Sequence, residues 1–446
     1  MYDPLNAPHP GQGLAHTPSY WAASAGSTPA DDGALRGGVE AEVAIIGSGY
    51  TGLCAAYFLA RHHGINAVVL EANQVAWGCS SRNGGFARAS GGHLWPTELI
   101  AHYGLDTARL YFDETRNALG QLRQLIAEGQ IECDAQPNGV IKLAHLPSRI
   151  ASLAREADLF NSHFDFPVQV LDGDALRRYH RGDEVHGGIR LPEGFGLHPL
   201  KLAWGLLRMA RDAGATVHPG SPVTHWQRQN GRYLLHTPNG LVRAAKVIIA
   251  TNGYTAPGLH PGLRGRYMPV HSQIIVTRPL NQQEIALSLP SSDSMIDTRN
   301  LLHYYRRLPD NRIMFGGPGA VSGKDAGHPR HRQALIDGLV RKFPALEGIE
   351  VEYDWGGWVC MSRDGVPHVY EIADTPGVFS ALGYSGSGVS YTAIAGRRLA
   401  ALAAGCPEIP PTAVTSGPAP RFPFARFLRL GQYLAYHWYR YQDRRP

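Results

Sequence analysis

The sequence predicts an α/β protein in which a Rossmann-like sheet is interleaved with a mixed-sheet (α+β) second domain. Three observations support this. After a polar arm, residues 43–71 read as a strand, a glycine-rich turn, a helix and a second strand. A similar strand, glycine-rich turn and apolar helix occupies residues 379–405. Strand-like segments alternate with helices between the two, so we expect the chain to cross between two domains more than once.

The first of these units carries the strongest signal. The apolar run Val43–Ile46 leads into Gly47, Gly49 and Gly52, which have G-x-G-x-x-G spacing. Such glycines allow a tight turn, a close approach of the backbone to a pyrophosphate and close packing of the helix on the strand. Glu71 ends the next apolar run, where an acid accepts hydrogen bonds from ribose hydroxyls. The complete pattern predicts dinucleotide binding and disfavours NADP.

Composition and predicted elements suggest the domain boundaries. The dinucleotide-binding domain and the second, substrate-binding domain are each expected to be built from separate segments of the chain. The predicted segments are an N-terminal arm (1–38), dinucleotide-domain segments 39–100, 191–265 and 355–405, substrate-domain segments 101–190 and 266–354, and a C-terminal tail (406–446) with an amphipathic helix.

Bulk properties exclude several classes of function. A net charge of +5, with basic residues scattered through the body, gives no reason to expect nucleic-acid binding. Five widely spaced cysteines without a C-x-x-C pair argue against a disulfide framework or a metal site. The sequence shows neither a secretory signal nor an apolar run of 18 residues. We therefore expect a cytoplasmic protein that does not span a membrane.

Two further motifs narrow the prediction. The loop WGCSSRNGG contains Ser81–Gly85, and the turn GYSGSGV covers Gly383–Val389. With the segments LHPLKLA and PFARFLRLGQYLAYHWYRYQDR, they make the chain resemble the FAD-dependent D-amino-acid oxidase / glycine oxidase superfamily over nearly its whole length. Within this superfamily it most resembles the branch that oxidises γ-glutamylputrescine.

The resemblance implies a bound FAD. The loop around Arg82 would run along the pyrophosphate and under the isoalloxazine, with the guanidinium as a phosphate partner. The turn at 384–388 would direct N–H groups at the flavin pyrimidine oxygen, and 251–253 would cover the adenine side. The implied FAD contacts are Gly47, Gly49, Tyr50, Thr51, Gly52, Glu71, Ala72, Ser81, Arg82, Asn83, Gly84, Gly85, Val223, Thr251, Asn252, Gly253, Gly383, Tyr384, Ser385, Gly386, Ser387, Gly388 and Val389.

The chain also departs from the family pattern. Ser81 stands where glycine is usual, and Ser387 stands where relatives often carry histidine, which can alter the substrate pocket. Cys79 lies near the expected flavin, but a small buried thiol is a simpler interpretation than covalent attachment. Non-covalent FAD is therefore expected.

Substrate contacts are expected from the second sheet. His303 and Tyr305 should face one side of a strand and Tyr304 and Arg306 the other, and the sequence leaves open which pair faces the flavin. His271 is a further candidate, and ordinary structural roles remain the alternative for each residue. The candidate catalytic residues are His303, Tyr305 and His271, and the candidate substrate contacts are Tyr304, Arg306, Trp355, Trp358 and Arg363.

The reaction that the resemblance implies is oxidation of a C–N bond in a γ-glutamylated polyamine or similar primary amine. Hydride transfer to the flavin would give an imine, then an aldehyde and ammonia, with hydrogen peroxide if dioxygen is the acceptor. Three alternatives stay open. The first is oxidation of a secondary amine or of an N-methyl or D-amino acid, which a carboxylate-binding arginine would favour. The others are a dehydrogenase that reduces a quinone and a non-catalytic flavoprotein subunit. The aromatic, arginine-containing tail is expected to pack on the body rather than on a membrane, and the oligomeric state is left open.

Overall fold

The computed structural model describes residues 2–136, 139–407 and 412–445. The strands are β1 (Gly37–Ile46), β2 (Val68–Leu70), β3 (Phe86–Arg88), β4 (Val140–Leu143), β5 (Gln169–Leu171), β6 (Gly188–Leu191), β7 (Gly194–Gly196), β8 (Thr216–His218), β9 (His225–Gln229), β10 (Arg232–His236), β11 (Gly240–Ile249), β12 (Tyr267–Thr277), β13 (Ser294–Asp297), β14 (Tyr304–Arg307), β15 (Ile313–Pro318), β16 (Val351–Ser362), β17 (His368–Glu371) and β18 (Val378–Leu382). The α-helices are α1 (Tyr20–Ser24), α2 (Tyr50–His63), α3 (Pro96–Tyr103), α4 (Leu105–Glu128), α5 (Ile150–His163), α6 (Gly173–Arg177), α7 (Pro199–Asp212), α8 (Gln282–Leu287), α9 (Pro329–Lys342), α10 (Gly388–Ala404) and α11 (Leu428–Gln442).

The first sheet has a parallel centre in the order β18-β11-β1-β2-β8. Ile45 pairs with Ile248 on one side and Val69 on the other, and all three are buried because helices and neighbouring segments cover the sheet. Helix α2 packs against α7 and α10. The carboxyl ends of β1 and β18 therefore lie at the same edge, where each strand leads into its own helix.

The second sheet runs β16-β12-β15-β14-β13-β4-β6-β5 and is antiparallel except for the β13–β4 pair. Its strands come from two separate stretches of the chain, and those of the first sheet come from before, between and after them. The predicted class, a Rossmann-like domain interleaved with a mixed-sheet domain, is confirmed.

Two predicted boundaries need adjustment. Strand β16 continues across the boundary predicted between residues 354 and 355 and pairs with β12 as far as Ser362, so we place that boundary after Ser362. The boundary predicted between residues 38 and 39 lies inside β1, because this strand already begins at Gly37. The remaining segment boundaries stay predictions.

The N-terminal arm packs on the body. The indole N–H of the buried Trp21 donates to the Asn83 carbonyl at 2.9 Å, and the Leu14 N–H donates to the Asn73 side chain at 2.9 Å. These contacts place the arm beside the loop that contains Asn83 and beside the segment that follows Glu71. Among the described residues, no helix is long and apolar enough to span a bilayer.

Candidate active site

The glycine turn between β1 and α2 leaves no room for side chains. Gly47 has φ +104°, and a Cβ there would lie 2.9 Å from the Ala250 carbonyl oxygen. A Cβ on Gly52 would lie 1.9 Å from the Gly47 carbonyl oxygen. The turn therefore presents bare backbone at the N-terminus of a 14-residue helix, where an anion is stabilised by free N–H groups and the helix dipole. This cradle fits a dinucleotide pyrophosphate.

The predicted ribose acid is held beside this turn. Glu71 is buried, and one of its oxygens accepts from the Ser48 N–H at 3.0 Å and the Ser48 hydroxyl at 2.8 Å. Its other oxygen accepts from the Asn73 N–H at 3.1 Å. Burial raises the pKa of Glu71 while these donors oppose the shift. Ala72 follows directly, and its carbonyl accepts from the Gly13 N–H of the arm.

The loop after residue 78 closes over the start of α2. The Ser80 hydroxyl accepts from the Tyr50 N–H at 3.0 Å, and it would meet a Cβ on Gly49 at 2.9 Å. Asn83 folds the loop, because its amide oxygen accepts from the Gly85 N–H at 2.8 Å and its amide nitrogen donates to carbonyls at the start of the loop. Sequence reasoning missed Ser80 and Ser48, although both lie directly beside predicted residues.

Arg82 is buried in this loop. Its Nε donates to the Trp77 carbonyl at 3.0 Å, and Nη1 donates to the Gly356 carbonyl at 3.4 Å. The guanidinium carbon lies 4.3 Å from the centre of the Trp77 ring. The preceding Ser81 hydroxyl also donates to the Trp77 carbonyl, at 3.3 Å. Arg82 therefore links the loop to the second sheet, and its role as a phosphate partner stays a prediction.

The second glycine-rich turn meets the first. The Tyr384 hydroxyl lies 2.7 Å from the Thr51 hydroxyl in the first turn of α2. Gly383, Ser385 and Gly386 all have positive φ, so the chain reverses sharply before α10 begins at Gly388. The buried Ser387 caps this reversal by donating to the Tyr384 carbonyl, and Val389 lies in the first turn of the helix. The predicted flavin-side turn and the dinucleotide turn thus lie together.

The turn at 251–253 contacts the flavin-side turn at Gly383 and strand β16 at Trp358. The Asn252 side chain accepts from the Gly383 N–H at 3.2 Å, and Thr251 bonds to the Thr255 hydroxyl at 2.7 Å. A Cβ on Gly253 would lie 2.5 Å from the Trp358 carbonyl oxygen in β16. Val223 packs against the core of the first sheet. Contacts of these residues with the adenine stay predictions.

The contacts of strand β14 show which of its two faces lies toward the first domain. Tyr304 lies against Gly84, where a Cβ would be 3.0 Å from its ring, and its hydroxyl is 2.7 Å from the Ser272 hydroxyl. Arg306 donates from Nε to the Gly84 carbonyl at 3.2 Å and from Nη2 to the Leu197 carbonyl at 2.6 Å. The pair Tyr304 and Arg306 therefore faces the loop that the resemblance places under the flavin.

His303 and Tyr305 lie on the opposite side. Tyr305 is fully buried and stacks on Phe315 with ring centres 5.4 Å apart. The His303 ring is 4.9 Å from the same phenylalanine, and the backbone N–H of His303 donates to the Asp297 carboxylate at 3.0 Å. Burial lowers the pKa of His303 to about 4. Because helix α9 covers this face, we do not assign these two residues a catalytic role.

His271 also lies away from the site. Its neighbour Ser272 faces Tyr304, and successive strand residues point to opposite faces. The His271 ring packs edge-on against Trp358 at 5.1 Å, and Nδ1 accepts from the Ala320 N–H at 3.3 Å. Burial lowers the pKa of His271 to about 4. The structure thus presents His271 as a neutral packing residue.

The remaining substrate candidates separate into two groups. The Trp355 indole N–H donates to the Arg82 carbonyl at 2.9 Å, so Trp355 lies at the flavin-side loop. The Trp358 indole N–H instead donates to the Tyr2 carbonyl at 2.8 Å. Arg363 is exposed and donates to the Arg421 carbonyl at 3.2 Å. We retain only Trp355 of these three as a candidate wall of the site.

Arg88 is the main residue that sequence reasoning missed. It ends β3, three residues after the double glycine of the flavin-side loop, and its Nη2 lies 3.9 Å from where a Gly386 Cβ would be. It lines a cavity shared with Trp95 and Tyr111. Burial lowers its pKa to about 10. Within residues 2–136, 139–407 and 412–445, no carboxylate or other acceptor bonds to its guanidinium. A basic residue this close to the double glycine was the available signal.

Comparison with known proteins agrees with this geometry. The family model described as "DAO: FAD dependent oxidoreductase" matches residues 42–402. The chain belongs to the DAO family of FAD-dependent oxidoreductases. It is 32% identical over 394 residues to the gamma-glutamylputrescine oxidoreductase of Escherichia coli K12, covering 88% of this chain and 90% of that protein. It is 31% identical to the probable oxidoreductase OrdL of Rhizobium meliloti, covering 92% of this chain and 94% of the relative.

Solved structures show the same DAO architecture. Glycine oxidase from Geobacillus kaustophilus superposes with a TM-score of 0.69 at 22% identity, over 85% of this chain and 98% of that one. The family membership confirms the predicted resemblance, the FAD cofactor and the enzyme class, an FAD-dependent oxidoreductase of amines or amino acids. The glycine cradle, Glu71 and the loop around Ser80 are the residues that would hold FAD.

Proposed function

We propose that this enzyme oxidises the C–N bond of an amine that also carries a carboxylate, and that its substrate is a γ-glutamylated polyamine or a close analogue. The observation that carries the proposal is Arg88, a partly buried cation that lines a cavity and reaches to Gly386 in the turn at 384–388. A guanidinium that faces a cavity and has no acceptor among the described residues suits a substrate carboxylate. A γ-glutamyl amine has a carboxylate at one end and an oxidisable amine at the other, and the 32% identical relative is named for such a substrate.

Each wall of the site has a physical task in this reaction. Bound FAD supplies the hydride acceptor. The turn at 384–388 and the N-terminus of α10 direct backbone N–H groups and a positive dipole end toward developing negative charge. Tyr304 and Trp355 form the wall toward the second sheet, and Arg88 fixes the far end of the substrate. Fixing that end orients the reacting C–H bond and keeps the amine in place.

Non-covalent FAD is part of the proposal. Cys79 lies in the loop over α2, and burial raises the pKa of its thiol to about 11. A thiol with that pKa is almost entirely protonated at neutral pH, so it is a poor nucleophile toward the flavin ring. Acid precipitation should therefore release the yellow cofactor into the supernatant.

A second candidate substrate class is an N-substituted or D-amino acid, in which the carboxylate lies next to the amine. The closeness of Arg88 to Gly386 favours this class, since a short substrate could then reach both groups. The electron acceptor is dioxygen in our proposal, with a quinone as the alternative. A cytoplasmic location is proposed too, because the described cysteines are all free thiols, as expected in a reducing compartment.

Anaerobic reduction of the purified enzyme tests the proposal. γ-Glutamylputrescine, putrescine, sarcosine and D-alanine are mixed separately with the enzyme, flavin absorbance is followed, and air is then admitted. We expect the fastest bleaching with γ-glutamylputrescine and recovery in air. Fastest bleaching by sarcosine or D-alanine would select the second substrate class, and bleaching without recovery in air would exclude dioxygen as the acceptor. Equal rates for γ-glutamylputrescine and putrescine would contradict a carboxylate-reading site.

A further inference from the structure

The C-terminal helix α11 carries two apolar faces. Its inner face, Leu428, Gln432 and Tyr436, is buried against the body at four-residue spacing. Its outer face carries large apolar side chains at helical spacing on the opposite side, each about half exposed or more. This outer face consists of Phe427, which directly precedes the helix, and of Leu430, Leu434, Trp438 and Tyr441.

The inner face is firmly attached. Arg429 donates to the Pro269 carbonyl and to the Asp3 carboxylate, both at 2.7 Å, and its guanidinium lies 4.7 Å from the Trp358 ring centre. At the other end, the Asp443 carboxylate accepts from the backbone N–H groups of Asn300 at 2.8 Å and Leu301 at 3.1 Å. The outer face is thus held outward by contacts at both ends of the helix and is not a fraying terminus.

An apolar stripe of this size normally has an occupant. Scattered exposed leucines are common, whereas a contiguous stripe marks an interaction surface. Phe424, in the turn just before the helix, extends the outer face and is 79% exposed. The stripe includes a tryptophan and a tyrosine, which favour the interfacial region of a bilayer.

Charge identifies the kind of occupant. Residues 421–446 contain a single acid, Asp443, which is used in attaching the helix, and six arginines. Five of these are exposed, among them Arg426, Arg440 and Arg444. A second copy of this face would bring the arginines of both copies together, because a two-fold interface pairs each patch with itself. An anionic surface meets them with opposite charge instead.

We propose that the outer face of α11 docks the enzyme on an anionic lipid bilayer surface. The helix lies in the plane of the membrane, with its apolar stripe in the interfacial region and its arginines at the headgroups. The sequence favoured packing on the body, and the helix does pack there through its inner face, so the two contacts are compatible. The proposal does not depend on the substrate of the enzyme.

Vesicle flotation of the full-length holoenzyme tests the docking. We expect the enzyme to float with vesicles of equal parts phosphatidylglycerol and phosphatidylcholine, at least about tenfold more than with phosphatidylcholine alone. Raising the salt concentration should reduce this binding, because the attraction is screened. Failure to float with anionic vesicles at low salt would overturn the proposal.

Matched variants assign the binding to this face. The triple variant Leu430→Ser, Leu434→Ser, Trp438→Ser should lose at least about tenfold of the vesicle binding while keeping its flavin and melting temperature. The control triple variant Leu110→Ser, Val170→Ser, Leu287→Ser changes exposed apolar residues elsewhere and should float like the wild type. Equal loss in both variants would contradict the assignment.

Two further measurements cover the other outcomes. If the triple serine variant does not fold, Arg426→Gln, Arg440→Gln, Arg444→Gln should remove the preference for anionic over neutral vesicles, and an unchanged preference overturns the proposal. Sedimentation velocity tests the alternative occupant. A concentration-dependent dimer that binds no vesicles and dissociates in either α11 variant would assign the face to a second copy of the chain.

Discussion

Two arginines flank the flavin-side loop, the buried Arg306 and the partly buried Arg88, and they differ in what surrounds them. Arg306 donates to the carbonyls of Gly84 and Leu197 and to the side chain of Gln136. Arg88 has no such acceptor within the described part of the chain. Burial lowers the pKa of Arg306 to about 9 and that of Arg88 to about 10, so both remain charged at neutral pH.

This difference indicates two roles: Arg306 supports the structure, and Arg88 recognises the substrate. A buried cation whose donors are all satisfied by the protein stabilises the surrounding structure and has little left to offer a ligand. A partly buried cation that has no protein acceptor and faces a cavity keeps its donors available and gains a partner when an anionic substrate binds. Arg306 therefore fastens β14 to the loop beneath the flavin, whereas Arg88 is available to a carboxylate.

The largest effect is expected from Arg306→Met. The substitution leaves two buried carbonyls and the Gln136 amide without a donor, so we expect a loss of about 3 kcal/mol in the free energy of unfolding, measured in urea. FAD should also be lost more readily, because Gly84 is no longer held. The control is Arg363→Met, which removes one exposed arginine and should change stability by about 0.5 kcal/mol or less. Equal stability of the two variants would contradict the supporting role.

Arg88→Met should change selectivity and leave stability nearly unchanged. The matched substrates are γ-glutamylputrescine and N-(4-aminobutyryl)putrescine, which lacks only the α-carboxylate. A charge-assisted hydrogen bond contributes about 1.5–3 kcal/mol, so the preference in kcat/KM for the carboxylated amine should fall about 10- to 100-fold. Arg88→Lys should retain part of it.

Two readouts keep that experiment decisive. A loss of kcat/KM that is equal for both substrates, together with a shifted flavin reduction potential, would mean that Arg88 acts on the flavin. If no amine reduces the enzyme, the flavin difference spectrum caused by a simple carboxylate still reports on the site. It should be present in the wild type and absent in Arg88→Met.

Gln136→Leu should leave Arg306 without one of its acceptors. Gln136 accepts from Arg306 and donates to the Arg307 carbonyl at 2.9 Å. Its replacement should cost about 1–3 kcal/mol in urea unfolding, less than removal of the arginine itself, since the two carbonyl contacts remain. Gln124→Leu, on the exposed side of α4, is the control and should be nearly neutral. A cost as large as that of Arg306→Met would place the stabilisation in Gln136 instead.

The two arginines also show what sequence can and cannot predict here. The strand period predicted that Tyr304 and Arg306 share a face, but the choice of face depends on helix α9 packing over the other one, against His303. The glycine turn could be predicted because its spacing encodes a local backbone geometry. Arg88 stood close to the double glycine in the sequence, but its cavity could not be predicted, because Leu191 and Glu193, about a hundred residues later, help to line it. A missing acceptor is a property of the folded structure.

His271 differs from both arginines, because it is a buried base that is neutral. Burial lowers its pKa to about 4, and the neighbouring His331, Arg82 and Arg429 add like charge. Below the ordinary pKa of about 6.5, the His271 ring is protonated in the unfolded chain but stays neutral in the folded protein. The free energy of unfolding therefore falls as the pH falls toward 4. From pH 7 to 5.5 this group should contribute a loss of about 1 kcal/mol. His271→Gln should remove that part of the slope, and the exposed His186→Gln should not. The pH dependence of flavin reduction should stay the same in His271→Gln, since the ring lies on the face of β12 opposite Ser272 and Tyr304. A changed rate profile would return His271 to the catalytic residues.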